Sequence, residues 1–94
     1  MLKRVFFVAA AVVVMASSTV RAADEGFCKE YARVAVDQAR DAEEHGRCDR
    51  ARHENPARWQ RDFRGHYDWC RGARRDDADA ERAERSRTLD HCAR

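Results

Sequence analysis

Four cysteines, Cys28, Cys48, Cys70 and Cys92, set 20, 22 and 22 residues apart, constrain this chain more than any other feature. They matter because so little else can hold a core. Beyond residue 22 the large aliphatic side chains are Val34, Val36 and Leu89, joined by Phe27, Phe63, Tyr31, Tyr67, Trp59 and Trp69, with alanine at most other apolar positions. Such a core is too thin to offset the chain entropy of ordering a short domain, so covalent cross-links are needed.

The N-terminus says where such cross-links can form. Lys3 and Arg4 precede a 12-residue apolar run, Val5 to Ala16, and Val20-Arg21-Ala22 supplies a small-residue cleavage site. This is the pattern of a secretory signal peptide, with cleavage expected after Ala22. The run is too short to span a bilayer, which takes about 20 helical residues. The expected organisation is a signal peptide over residues 1–22 and one disulfide-stabilised helical domain over residues 23–94, periplasmic or secreted, with no membrane span in the mature chain and a monomeric state. An oxidising compartment favours disulfides over free thiols.

Removing residues 1–22 takes away Lys3, Arg4 and Arg21 and no acidic residue, so the basic count falls from 19 to 16 against 17 acidic. Interleaved charges of near-zero sum do not create the one-signed field that nucleic-acid binding requires. No nucleic-acid partner is expected.

Asp24 can cap a first helix whose apolar face is Phe27, Tyr31, Val34, Ala35, Gln38 and Ala42, ending near Gly46. Residues 46–55 have no apolar period and read as a connection. Asn55-Pro56 predicts the start of a second helix, with a buried stripe of Trp59, Phe63, His66, Trp69 and Cys70, and Gly72 as its stop. Gly65, unfavourable in mid-helix by about 1 kcal/mol, suits a place where another helix passes close. Asp76, Asp77 and Asp79 open a third helix, supported by a Glu81–Arg85 pair four residues apart. The fold class is therefore all-α: a small up-down-up three-helix domain stapled by two disulfides. Four cysteines allow three pairings, and sequence alone does not choose among them. In this arrangement Cys28 and Cys70 fall at one end and Cys48 and Cys92 at the other, more than about 20 Å away, so geometry selects Cys28–Cys70 and Cys48–Cys92.

Function is less constrained. The chain has no C-x-x-C motif, and its mature part has a single serine, Ser86, on a charged helix, so neither redox nor nucleophilic catalysis is indicated. No enzyme activity and no cofactor is expected. A metal site is the alternative, through His66 with Cys70 and His45 with Cys48, at spacings that suit zinc if the thiols are free. Arg58, Trp59, Tyr67 and Trp69 form a candidate partner surface, because aromatic and arginine side chains make good anchors; the competing reading is that the aromatic stripe is core. The expected function is a small exported non-catalytic binding or envelope-interaction protein, inhibitor- or adaptor-like, with an unknown periplasmic or envelope partner. A purely structural or stress-related envelope protein is the other alternative.

Tyr31, Gln38, Arg58-Trp59, His66, Trp69-Cys70 and the closing Leu89-to-Cys92 segment together resemble an uncharacterised group of small exported four-cysteine bacterial proteins, mainly alphaproteobacterial. The resemblance runs from Phe27 to Cys92. It implies an exported, cysteine-stapled domain and implies no activity. Where that group has Gly-rich residues after the second cysteine, this chain has Asp49-Arg50-Ala51-Arg52-His53.

Overall fold

A computed structural model describes residues 22–94; the expected signal peptide, apart from Ala22, lies outside the described residues. Those residues form four α-helices and no strand: α1 Glu25–Glu43, α2 Asp49–Glu54, α3 Phe63–Gly72 and α4 Arg75–Cys92, with a 3-10 turn, Gly46–Cys48, ahead of α2. None is long and apolar enough to cross a membrane. Helices α3 and α4 both pack on α1, which is the centre of the molecule.

Helix α1 starts where Asp24 accepts a hydrogen bond from the Phe27 amide at 2.8 Å. That bond satisfies one of the amides a helix start leaves without a partner. Its buried face is Cys28, Tyr31, Ala32, Ala35, Gln38, Ala39 and Ala42, so small side chains let both neighbouring helices approach closely. The helix ends two residues earlier than Gly46 predicts. His45 turns extended, with Nδ1 2.8 Å from the Asp41 carbonyl, and Gly46 opens the 3-10 turn with no positive φ.

The second predicted helix differs most from the structure. Asn55 does cap, its Oδ1 accepting from the Arg58 amide at 3.2 Å, but only one turn, residues 56–59, follows. Trp59 is then drawn into the core beside Ala42, Cys48 and Leu89, and the chain leaves helical geometry at Gln60. A new cap, Asp62 to the Arg64 amide at 3.0 Å, starts α3. The restart shifts the helical phase, so His66 and Cys70 face α1 while Phe63 and Trp69 stand 44% and 46% exposed. The nearest atoms to a Cβ at Gly65 belong not to a helix but to the movable end of the Gln60 side chain, with Oε1 2.7 Å away. The region predicted as a connection carries the 3-10 turn and α2.

Cys28 is bonded to Cys70 and Cys48 to Cys92, with Cα separations of 5.5 and 5.1 Å. The first bond joins the start of α1 to the end of α3, inside a cluster of Ala23, Tyr31, Ala35 and Ala78. The second joins the 3-10 turn to the end of α4, inside a cluster of Ala42, Trp59 and Leu89. Two disulfides of this kind fit an oxidising compartment outside the cytoplasm. Between the clusters, at Gln38 on α1 and Arg85 on α4, the interior is polar.

Candidate functional site

Helix α3 meets α1 along a seam of His66 and Cys70, and at about 100° per residue its other aromatic residues fall to either side of that seam. Phe63 and Tyr67 lie on one flank; Trp69, about 120° round from Phe63, lies on the other. Each flank borders a hollow.

On the first flank Phe63 stacks on Tyr67, with ring centroids 6.2 Å apart and planes 12° from parallel. The hollow, of about 570 Å³, runs between these rings and Gly26, Lys29 and Arg33 of α1. Its charged rim is internally matched: Lys29 pairs with Glu25, Arg33 with Glu30 and Arg64 with Asp68.

On the second flank the cleft measures about 240 Å³ and is walled by Tyr31, Arg58, His66, Trp69, Glu81 and Arg85. Arg85 is wholly buried. Its Nε donates to Gln38 Oε1 at 2.8 Å, its Nη1 lies 3.7 Å from Glu81 Oε1, and its Cζ sits 5.0 Å from the centroid of the Tyr31 ring. Its Nη2 has no partner. Gln38 is fixed in turn by donating to Ser86 Oγ at 3.0 Å and to the Arg82 carbonyl at 3.3 Å. Glu81 is gripped from the far side by Arg58, through Nε at 2.6 Å and Nη2 at 3.3 Å. This fork-to-carboxylate geometry is the strong form of the pair.

Burial pushes the His66 imidazole below its ordinary pKa, only partly opposed by its bond to the Gln60 carbonyl. That bond, 2.7 Å from Nε2, fixes the tautomer, because a carbonyl only accepts: Nε2 carries the proton and Nδ1 remains an acceptor. Burial likewise raises the Tyr31 phenol, against the polar contact and the charge of the neighbouring Arg85 guanidinium. The Tyr31 ring meets His66 edge-on at 6.4 Å and Trp69 at 5.5 Å.

The four residues predicted as a partner surface are thus separated. Arg58 and Trp69 meet at the cleft, Tyr67 is on the opposite flank, and Trp59 is 5% exposed in the Cys48–Cys92 cluster. The candidate metal ligands are separated too. Cys70 and Cys48 are in different disulfides and carry no thiolate, while His66 bonds Gln60 and His45 bonds Asp41. Among the described residues no three His, Cys, Asp or Glu side chains converge as a metal site would require. Sequence reasoning did not single out Arg85 and Gln38 as a site. The available signal was that both fall on inner helix faces, Gln38 in the apolar stripe of α1 and Arg85 four residues beyond Glu81.

Comparison with protein-family models, with curated proteins and with solved structures finds no match to this chain.

Proposed function

We propose that the chain is an exported, non-catalytic binding module of the inhibitor or adaptor kind, which engages a protein partner through the α1–α3 flank bearing Phe63 and Tyr67. The three longer helices run up, down and up as its framework, and the disulfides hold that framework in an oxidising compartment. One observation carries the reading: a chain with few large apolar side chains leaves Phe63 44% exposed, stacked on Tyr67, beside a wide hollow. Stacked aromatics at the centre of a rim of matched ion pairs have the make-up of an interface hot spot. The resemblance of the Arg-Trp and Trp-Cys motifs to an exported group supports export and the cysteine staples, and is silent on binding.

The test compares the oxidised protein with its Phe63→Ala/Tyr67→Ala variant as bait for periplasmic extract, after circular dichroism confirms equal helicity. A stoichiometric partner retained by the first and lost by the second is expected. Identical capture by both, or no capture by either, would remove this flank as the interface and favour a structural envelope role.

A further inference from the structure

We propose that the cleft on the Trp69 flank binds a small planar monocarboxylate, with the buried guanidinium of Arg85 as its anchor. Three observations converge on that chemistry. The first is the orphaned nitrogen. Arg85 is fully buried, its Nε is committed to Gln38 and its Nη1 leans towards Glu81, yet Nη2 has no acceptor. A buried charged N–H without a partner is expensive, so an acceptor oxygen supplied at this wall gains more than it would at an exposed arginine.

The second is the charge count. Arg58 and Arg85 contribute two positive charges and Glu81 one negative, while burial favours the neutral form of His66. One negative charge balances the site. A dianion such as phosphate would bring a second charge against Glu81, which already engages the Nε–Nη2 edge of Arg58. A carboxylate oxygen is the charge-assisted acceptor that Nη2 still lacks.

The third is the shape. Trp69 lies tilted by 31° over Tyr31 and, with it, gives the cleft an aromatic wall suited to a flat ligand body. The volume of about 240 Å³ is below the usual range for drug-sized ligands, which limits the occupant to a few-atom acid or a single ring. Nη2 has no exposed surface, so the ligand reaches it by displacing part of the cleft wall, to which Trp69 belongs. His66 Nδ1 remains an acceptor and favours acids that also carry a hydroxyl or N–H donor. The cleft lies on the opposite flank from Phe63 and Tyr67, so this proposal stands or falls apart from the partner surface.

The experiment is an NMR titration of the oxidised, ¹⁵N-labelled protein with benzoate, and with benzamide, benzylammonium and inorganic phosphate as comparison probes. Benzoate should shift the Trp69 indole N–H and the Arg85 Nε–H saturably, with a Kd on the order of 1 mM for so small a ligand, and leave Trp59 unmoved. The other probes should produce no saturable shift at the same concentrations. Trp69→Ala, a change at an exposed position, should fold and bind more weakly. Arg85→Met should lose about tenfold or more in affinity. Should Arg85→Met not fold, the wild-type shifts and Trp69→Ala decide alone. Absence of saturation, equal response to benzamide or phosphate, or shifts centred on Phe63 and Tyr67 would each overturn the proposal.

Discussion

The ends of this molecule and its middle are held by different physics. Each end closes on a disulfide wrapped in a small apolar cluster, Cys28–Cys70 with Tyr31 and Ala78, and Cys48–Cys92 with Trp59 and Leu89. Between them the buried apolar side chains are only the alanines of α1, Ala32 and Ala39, and the space is filled by Arg85, Gln38 and Glu81, tied to one another and to Arg58. Covalent ends make a charged middle tolerable. A buried ion pair contributes little net stability once desolvation is counted, so it can persist in a framework that other forces fix. The middle also holds Arg85 Nη2, which has no partner among the described residues and is the proposed anchor for a carboxylate.

The largest expected effect tests whether the ends carry the fold. Closing loops of 42 and 44 residues is worth about 4 kcal/mol each in the chain-entropy model. A domain of this size has a total stability of roughly 4 to 11 kcal/mol. Replacing one pair, Cys48→Ala/Cys92→Ala or Cys28→Ala/Cys70→Ala, should lower the melting temperature sharply, and replacing both should abolish the cooperative thermal transition followed by circular dichroism. A cooperative melt in the four-alanine variant would show that the polar middle holds the fold, and the comparison would fail.

A smaller effect tests the middle. Glu81→Ala removes the counter-charge and leaves Arg85 buried, so it should destabilise by about 3 kcal/mol in urea denaturation. Arg85→Met removes the buried charge and keeps the volume but leaves Gln38 Oε1 without its donor, so it should cost less than Glu81→Ala, about 1 to 2 kcal/mol. The reverse order would mean that the ion network is a net source of stability.

The smallest effect is a pH dependence. His66 has a lowered pKa in the folded chain, whereas the unfolded chain takes up a proton near pH 6.5. The unfolded state therefore binds more protons below that pH, and the stability from neutral His66 is complete above about 6.5 and lost as pH falls towards the folded value. The urea midpoint should drop between pH 7.5 and 5.5. His66→Gln, which can still donate to the Gln60 carbonyl, should flatten the dependence; an unchanged slope would assign it to another group.

How much of this was legible beforehand depended on whether the signal was local. The Asp24 cap, the α1 face containing Tyr31, Ala35, Gln38 and Ala42, and the Glu81–Arg85 pair are set by residues three or four apart, and the structure contains each of them. The pairing that helix geometry selected for the cysteines is the one present. Asn55-Pro56 misled because its cap is real but supports only a single turn. Burial of Trp59 and the Gln60–His66 bond, contacts made across the loop and with other elements, outweighed helix continuation. Phe63 and Trp69 followed from that error, since the predicted stripe assumed one unbroken helical phase from Pro56. The cleft was hidden for a related reason: Gln38 and Arg85 are 47 residues apart and meet only once α4 lies on α1.

The order of the cysteines along the chain has one more consequence. Because Cys28 pairs past Cys48, and Cys48 past Cys70, the two bridges interleave, and every peptide bond between Cys28 and Cys92 lies within at least one closed ring. A single cut anywhere in that span leaves one covalently continuous molecule, and a cut between Cys48 and Cys70 leaves its pieces joined twice. Arginine recurs through every part of this chain, including Arg58 and Arg61 in the segment that links α2 to α3. A protease that cleaves once after an arginine in this span would nick the molecule without releasing a fragment.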